Sequence, residues 1–298
     1  MPYSSAPGPV TADASAAPGT PGEPADIRLI VSDMDGTLLD DDKRIPPGLW
    51  DTLALLGERG VVFSPASGRQ YHTLVRQFAE AADGMAFIAE NGAYVMRDGV
   101  ELHSDPLDPA VAAGIVRTVR RLVADGARVG AVVCGKRAAY VESDDEEFLA
   151  QVRRYYAENR VVEDAAAVAD EMLKVALYDF GSAEHGVARA SLADLARTHQ
   201  VVVSGEHWID VMNAGANKGS ALRGLQRDLG VTPAQTLVFG DYLNDLEMLD
   251  AADWSFAMAN AHPAVRARAR HLAPANNDNG VLRTIARLLH LPSAADGR

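Results

Sequence analysis

The sequence predicts an α/β protein in which a parallel-sheet core is interrupted by a separate α/β insertion. Strand-like and helical segments alternate over residues 27–95, and this pattern resumes over 211–298. Between them, at 96–210, paired strands are typical of an antiparallel sheet. Alternation of strand and helix indicates a parallel sheet with right-handed crossovers, so the two outer stretches are expected to form one discontinuous core.

Residues 1–26 differ in composition from the rest of the chain. Ala, Pro, Gly, Ser and Thr fill 20 of these 26 positions, and large apolar residues are nearly absent. Such a segment buries too little apolar surface to offset the entropy that it would lose on ordering. We expect a disordered tail.

Three short apolar strands separated by two helices are predicted for the first core stretch. Each strand stops at polar residues, and the helices have apolar residues at helical spacing. The strands are at 27–31, 61–63 and 87–89, the first helix is at about 49–60, and the second runs through Leu74, Val75 and Phe78. Pro65 cannot donate to a neighbouring strand, which predicts that the second strand ends near Phe63.

The insertion and the second core stretch follow the same rules. In the insertion, 130–133 and 138–141 flank a turn in the manner of a hairpin. Its other elements are helices at about 111–123 and 184–198 and strands at 173–178, 201–203 and 208–212. Lys174 lies between apolar neighbours in one of these strands, where we expect it to be solvated; the alternative is a contact from the cap to the substrate. The core then resumes with helices at 218–229 and 281–289 and strands at 236–239 and 254–258.

The chain is acidic and has one cysteine. Its 298 residues include 28 basic and 41 acidic side chains, for a formal net charge of −13 at pH 7. A negative chain repels nucleic acid and anionic membranes at long range, so neither is an expected partner. Cys134 alone forms no internal disulfide, and no export or membrane-spanning segment is evident, which together predict a cytoplasmic protein. We expect a monomer or a weak homo-oligomer.

Two predicted strand ends carry paired acids, Asp33 with Asp35 and Asp241 with Asp245. Because the carboxyl ends of parallel strands meet at one edge of a sheet, these four carboxylates are expected to converge. They would repel one another unless a cation lay between them. Ligation by oxygen alone favours Mg2+. The alternative is that these aspartates are ordinary turn residues and helix caps.

A phosphorylated substrate follows from such a cation, because Mg2+ takes phosphate oxygens as ligands. One of Asp33 and Asp35 would act as nucleophile on phosphorus and the other as general acid and base. Hydroxyls and main-chain amides near Thr37 and Ser67 would hold the phosphoryl oxygens. Lys218 would neutralise charge in the transition state, although it is also compatible with a solvated lysine that opens a helix.

Four short strings occur in a fixed order along the chain: DMDGTL at 33–38, ASGR at 66–69, NKG at 217–219 and GDYLND at 240–245. In that order they resemble the four motifs of the haloacid-dehalogenase-like phosphatases, most closely the Cof-type sugar-phosphatase branch. The likeness covers about 27–289 and includes ENGA at 90–93 and NNDNGV at 276–281. It implies a Rossmann-like core with an α/β cap and hydrolysis of phosphate monoesters through an aspartyl-phosphate.

The resemblance also implies roles for individual residues. Asp33 would be the nucleophile and Asp35 the acid and base, with Lys218 as the third catalytic residue. The residues that would bind phosphate are Thr37, Ser67, Gly68 and Lys218. Those that would bind the rest of the substrate are Arg69, Asn91 and Asn244. Mg2+ would be held by Asp33, the main-chain carbonyl of Asp35 and Asp241, and Asp245 and Asn244 would arrange the outer shell.

The predicted function is that of a Mg2+-dependent phosphatase acting on a small phosphorylated metabolite, either a sugar phosphate or a cofactor phosphate. The presence of Asp35 argues against a dehalogenase, which needs no acid at that position. Two alternatives stay open. A phosphosugar mutase would conserve total ester phosphate, and a non-catalytic module would only sense a phosphometabolite.

Overall fold

The computed structural model describes residues 26–292, which form two β-sheets with helices packed against them. The predicted tail at 1–26 lies outside the described residues, apart from Asp26. The strands are β1 (Leu29–Asp33), β2 (Val62–Ala66), β3 (Ala86–Ala89), β4 (Tyr94–Arg97), β5 (Val100–Ser104), β6 (Val129–Gly135), β7 (Ala139–Val141), β8 (Asn159–Val161), β9 (Met172–Asp179), β10 (Gln200–Val203), β11 (Trp208–Met212), β12 (Thr236–Gly240), β13 (Trp254–Met258) and β14 (His271–Ala273). The α-helices are α1 (Leu49–Glu58), α2 (Tyr71–Gln77), α3 (Pro109–Ala124), α4 (Glu146–Tyr155), α5 (Val187–Ser191), α6 (Lys218–Leu229), α7 (Leu246–Leu249), α8 (Pro263–Arg268) and α9 (Gly280–Leu289).

The larger sheet has eight strands in the order β14-β13-β12-β1-β2-β3-β4-β5. Its neighbours are parallel from β14 to β3, and β4 and β5 add an antiparallel edge. The central strand β1 is buried at every position, as expected of a parallel strand covered on both faces. The predicted α/β class with a parallel core is confirmed.

The smaller sheet has six strands in the order β10-β11-β9-β6-β7-β8. Its pairings are antiparallel except for that of β7 with β8. The chain enters this sheet after Ser104 and leaves it after Met212. The predicted boundaries at 95/96 and 210/211 fall inside β4 and β11, whereas the chain changes sheet only after β5 and after β11 have ended. The division into core and cap domains stays a prediction.

Apolar side chains form one large cluster around the eight-stranded sheet and two smaller clusters on the faces of the six-stranded sheet. Alternate residues of β9 enter different small clusters, Val175 and Leu177 on one face and Ala176 and Tyr178 on the other. The alternation arises because successive side chains of a strand point to opposite faces of the sheet. Across residues 26–292, none of the helices combines the length and the apolar character needed to cross a membrane.

The single helix predicted at 184–198 is instead a short helix, α5, followed by a 3-10 turn at Leu195–Arg197. Ser191, the last residue of α5, donates its hydroxyl to the main-chain oxygen of Ala188 at 2.7 Å. Hydroxyl side chains that bond to the main chain in this way compete with helix continuation. The spacing of apolar residues, on which the prediction of one helix was based, contains no information about that competition.

β2 continues past Pro65 to Ala66, so the prediction that it ends near Phe63 is wrong. Alternate residues of a parallel strand bond to opposite neighbours. The bond from Ser67 N–H to Ile88 O shows that the odd-numbered residues here face β3. Within the described chain β3 pairs with β2 at Ala66 alone, while Pro65 and Ala66 are both paired with β1. The missing donor of Pro65 therefore limits the pairing with β3 but does not end the strand.

Candidate active site

Loops from several parallel strands meet at one edge of the eight-stranded sheet. The loops after β1, β2, β3 and β12 carry the strings identified in the sequence. Gly36, after β1, has a φ of +85°, and a Cβ there would lie 2.4 Å from Asp241 Oδ2. Because glycine has no Cβ and tolerates positive φ, this loop can approach the loop after β12 closely.

Three of the four aspartates predicted to converge do come together. Asp33, Asp241 and Asp245 each offer a carboxylate oxygen, and these atoms all lie within 4.8 Å of one another. Asp33 and Asp245 are buried, and Asp241 is partly exposed. We refer to these three residues as the acidic cluster.

The buried ammonium of Lys218 lies within the acidic cluster. Its Nζ donates to Asp245 Oδ1 at 2.7 Å and also to Asp33 Oδ1. Asn217 caps α6, since its side chain accepts from the N–H of Ser220 at 2.8 Å, and Lys218 is therefore the first helical residue. Three carboxylates and one ammonium leave a net charge of −2.

The remaining oxygens of the cluster are held by the main chain and by a threonine. Asp245 Oδ2 accepts from the N–H groups of Asp241 at 2.9 Å and Tyr242 at 3.2 Å. Thr37 Oγ1 donates to Asp241 Oδ1 at 2.8 Å. The hydroxyl of Thr37, predicted to bind phosphate, is thus engaged in orienting Asp241.

The single ammonium of Lys218 does not balance the acidic cluster. Burial raises the pKa of Asp33 well above its ordinary value, although the charge of Lys218 opposes the shift. Burial and the nearby Asp245 carboxylate raise the pKa of Asp241 to about 6. A divalent cation would neutralise the net charge, and a donor set made only of oxygen suits a hard cation. The residues present therefore fit a metal ion of this kind.

Asp35 lies apart from the acidic cluster, which corrects the expectation of four converging carboxylates. Arg69 Nη2 donates to both of its oxygens, at 2.8 and 2.9 Å, and Lys43 Nζ lies 3.0 Å from Oδ1. Burial raises the pKa of Asp35, but the charges of Arg69 and Lys43 outweigh it and the net shift is downward. In a continuing strand, Asp33 and Asp35 would point to the same side, two residues apart. Because β1 ends at Asp33 and the chain turns at Met34, Asp35 does not point into the cluster with Asp33.

The loop after β2 is joined to two other motif loops. The N–H of Arg69 donates to Ser67 Oγ at 3.2 Å, and the N–H of Asn91 donates to Ser67 O at 2.9 Å. Asn244 Nδ2 donates to Asn91 Oδ1 at 3.3 Å. Ser67, Arg69, Asn91 and Asn244, four of the predicted phosphate-binding and substrate-binding residues, are therefore linked by hydrogen bonds beside the acidic cluster.

A cleft of about 770 Å³ lies between the two sheets and is lined by residues of both. Eight of the predicted site residues line it: Asp33, Asp35, Ser67, Gly68, Arg69, Asn91, Asp241 and Asn244. The other three are buried: Asp245 belongs to the acidic cluster, and Thr37 and Lys218 contact it. The volume is in the range of pockets that hold small molecules.

Sequence reasoning missed Lys43 and the aromatic side of the cleft. Tyr155, Tyr178 and Trp208 line the cleft, with ring centroids 5.6 Å apart for Tyr155 and Trp208 and 4.9 Å apart for Tyr178 and Trp208. Tyr155 ends α4, which was not predicted, although Asp145 caps it and apolar residues recur at helical spacing. Those two signals could have located the helix. No local signal directs Lys43 toward the site.

Comparisons with known proteins agree with this geometry. The model of the haloacid dehalogenase-like hydrolase family matches residues 30–285. The chain is 33% identical to the 5-amino-6-(5-phospho-D-ribitylamino)uracil phosphatase YbjI of Escherichia coli strain K12, over 88% of this chain and 96% of that protein. It is 30% identical to an HMP-PP phosphatase of Citrobacter koseri, over 83% and 89% of the two chains.

Solved structures are similar over the whole described fold. SMU.1108c from Streptococcus mutans UA159 has a TM-score of 0.78 at 26% identity and covers 89% of this chain and 100% of its own. TM0651 from Thermotoga maritima has a TM-score of 0.75 at 25% identity, over 88% and 97% of the two chains. With the four motifs gathered at one cleft, the chain belongs to the haloacid dehalogenase-like hydrolases, in their Cof-type branch, as a phosphomonoester hydrolase.

Proposed function

We propose that the protein is a Mg2+-dependent phosphatase that hydrolyses a small phosphorylated metabolite through an aspartyl-phosphate on Asp33. The observation that carries this proposal is the acidic cluster with Lys218 bound inside it, at one end of a cleft large enough for a small molecule. A nucleophilic carboxylate, a metal site and a cation for the phosphoryl group are thereby adjacent.

In the first half of the reaction, the Asp33 carboxylate attacks phosphorus. A bond forms between an Asp33 oxygen and phosphorus while the bond to the leaving oxygen breaks, and Asp35 gives that oxygen a proton. In the second half, Asp35 takes a proton from water, whose oxygen attacks phosphorus. The bond to Asp33 then breaks, which releases inorganic phosphate, restores the Asp33 carboxylate and leaves Asp35 protonated, as it was at the start.

Positive charge and hydrogen-bond donors stabilise the phosphoryl group during both halves. Lys218, together with the hydroxyl and main-chain amides around Ser67, would face its oxygens. The residues that would hold Mg2+ are Asp33, Asp35 through its carbonyl, Asp241 and Asp245. When bound, Mg2+ would supply the charge that lets a phosphate dianion approach this acidic site.

Asp35 is engaged by Arg69 and Lys43 in this structure. An entering substrate would compete for these two cations, which line or border the cleft. Loss of the ion pairs would free Asp35 to reach the leaving oxygen. Substrate binding and release of the catalytic acid are therefore expected to be linked.

The aromatic side of the cleft favours a cofactor phosphate with a planar ring over a simple sugar phosphate. Tyr155 is partly exposed and packs edge-on against buried Trp208, so its remaining surface can receive a ring. Aromatic pairs contribute roughly 0.5–1.5 kcal/mol beyond the area that they bury. One relative is named for a phosphorylated ribitylaminouracil, which is consistent with this preference.

The test is release of inorganic phosphate from an aryl phosphate and from a panel of phosphorylated metabolites. Removal of Mg2+ by a chelator and the change Asp33→Asn should each abolish release. Asp51→Asn, at an exposed position of α1, is the matched control and should retain activity. Persistent turnover after Asp33→Asn would refute the assignment.

The same panel separates the alternatives. A mutase would conserve total ester phosphate, and a sensing module would be stabilised by its ligand without forming product. The buried, unpaired Cys134 is consistent with our further proposal of a cytoplasmic protein. The expected monomer or weak homo-oligomer, which binds neither nucleic acid nor membranes, stays a prediction.

A further inference from the structure

A buried charged triad joins the two sheets beside the cleft. Lys174 and Asp210 lie in β9 and β11 of the six-stranded sheet, and Glu90 directly follows β3 of the eight-stranded sheet. Lys174 Nζ is 2.8 Å from Glu90 Oε2 and 3.4 Å from Asp210 Oδ2, and the three side chains are between 1% and 4% exposed. The prediction that Lys174 is solvated is therefore wrong.

The ammonium of Lys174 has a third contact. Its Nζ donates to the main-chain oxygen of Gly68 at 2.6 Å. Of the three N–H donors of an ammonium, two bond to Gly68 and Asp210, and Glu90 lies at ion-pair distance. Burial lowers the pKa of Lys174, but the two carboxylates outweigh burial and the net shift is upward. The group is charged across the ordinary pH range.

Gly68 lies at the centre of the loop that presents Ser67. The carbonyls on either side of it bond to the main chain, Ser67 O to the N–H of Asn91 at 2.9 Å and Arg69 O to the N–H of Glu90 at 3.0 Å. The Gly68 carbonyl instead bonds to the Lys174 side chain. One of three consecutive carbonyls thus takes its partner from the other sheet.

The triad also reaches the acidic cluster through two amides. Asp210 Oδ2 accepts from Asn91 Nδ2 at 2.9 Å, and Asn91 Oδ1 accepts from Asn244 Nδ2 at 3.3 Å, next to Asp245. Glu90 and Asn91 have φ values of +50° and +54°. This left-handed conformation is unfavourable for a side chain such as Glu90 and persists only where its surroundings hold it. The ion pair with Lys174 is one such contact.

We propose that Lys174 is a positioning residue for phosphoryl transfer. From the six-stranded sheet it fixes the carbonyl of Gly68 and thereby sets where Ser67 meets the phosphoryl group. The inference rests on the proposed function, in which Ser67 binds that group. Lys174 lines the cleft, but its ammonium is held by Gly68, Glu90 and Asp210. We therefore infer that it acts through these residues and not on the reacting atoms.

Two variants test the proposal. Lys174→Met leaves two buried carboxylates without a counter-charge and is expected to destabilise the protein. The triple variant Lys174→Met/Glu90→Gln/Asp210→Asn removes every charge of the triad, so it carries the test if the single variant does not fold. Both remove the ammonium donor from Gly68. With an aryl phosphate and Mg2+, kcat should fall by about 10²-fold, the cost of a displacement of about 1 Å.

Two further readouts identify the affected step. Inhibition by inorganic phosphate should weaken, because phosphate binds to the same loop. The Mg2+ concentration for half-maximal rate should stay unchanged, because the acidic cluster is intact. Lys136→Met is the matched control, since Lys136 also bridges two carboxylates, Glu101 of β5 at 2.9 Å and Glu171 at 3.0 Å. It should retain wild-type kcat and wild-type inhibition by phosphate.

A merely structural role predicts a different result. Loss of folded enzyme lowers the apparent kcat in proportion and leaves the phosphate inhibition constant unchanged. Any of three results would overturn the positioning role. These are a lower apparent kcat with an unchanged phosphate inhibition constant, wild-type kinetics in the triple variant, and failure of both variants to fold. If folded wild-type protein releases no phosphate, the proposed function itself fails. If wild type is active and Asp33→Asn is inactive, a negative result for the two variants overturns the role of Lys174 alone.

Discussion

Lys218→Met should abolish phosphatase activity and yet tighten the binding of Mg2+. Lys218 Nζ lies 2.7 Å from Asp245 Oδ1 and also contacts Asp33. A metal ion held by the same carboxylates would lie about 2.1 Å from their oxygens, which puts the ammonium and the ion about 4 Å apart. At that separation two unit charges interact by about 4 kcal/mol at an effective dielectric constant of 20, so a divalent ion and an ammonium repel each other by about 8 kcal/mol.

Removal of the ammonium relieves this repulsion and leaves three carboxylates without a counter-charge. Solvent and relaxation offset part of the gain, but a residual of about 1.4 kcal/mol is already a factor of ten in affinity. We therefore expect the Kd for Mg2+ to fall at least about tenfold. Without metal, the variant should lose about 3–5 kcal/mol of unfolding free energy, the usual cost of breaking a buried ion pair from one side.

Calorimetric titration of metal-free protein with Mg2+ measures the Kd, and urea unfolding with and without Mg2+ measures the stability. Lys136→Met makes the same change of charge away from the acidic cluster and should leave the Kd unchanged. Weaker Mg2+ binding by Lys218→Met would refute the reasoning, because Lys218 would then hold the carboxylates in place for the ion. An unchanged Kd would mean that Mg2+ binds elsewhere.

Three further predictions follow from the same geometry. The pKa of Asp241 is raised to about 6 and that of Asp33 is also raised. The unfolding free energy of metal-free protein should therefore fall as pH rises from about 4 through 6, by at most about 3 kcal/mol for Asp241. Urea unfolding measures this fall, and a stability that does not change with pH in this range would show that the pKa shift is absent. Bound Mg2+ should suppress the fall. Gly92→Ala should lower the unfolding free energy measured with urea by about 2 kcal/mol or more, because Gly92 has a φ of +99° and a Cβ would lie 2.3 Å from Asn217 O. Gly99→Ala is the control, since Gly99 has a φ of +74° but open space around it, and it should lower the unfolding free energy less. Equal losses of stability would contradict the role of the close approach at Gly92. Tyr155→Ala should raise KM about three- to tenfold for esters with a planar ring relative to open-chain phosphates, and equal changes for both would remove the aromatic preference.

Local patterns predicted most of the fold. The strand at 236–239 and the helix at 218–229 are found as β12 and α6, because strand and helix periodicities and end signals involve residues only a few positions apart. The helix at 184–198 failed because the Ser191 hydroxyl competes with continuation of the helix. The prediction that β2 ends near Phe63 was wrong because β2 is also paired with β1 as far as Ala66, and the missing donor of Pro65 affects only the side facing β3.

The sequence by itself also determined which loops carry acids and that they follow parallel strands, which suffices to bring Asp33 and Asp241 together at one edge. Only the tertiary structure decided where the charges pair. Asp35 forms ion pairs with Arg69 and Lys43. Lys174 reaches Glu90, 84 positions earlier in the chain. Such pairings depend on which distant segments meet and which partners a buried charge finds there, and neither condition is written in the residues next to it.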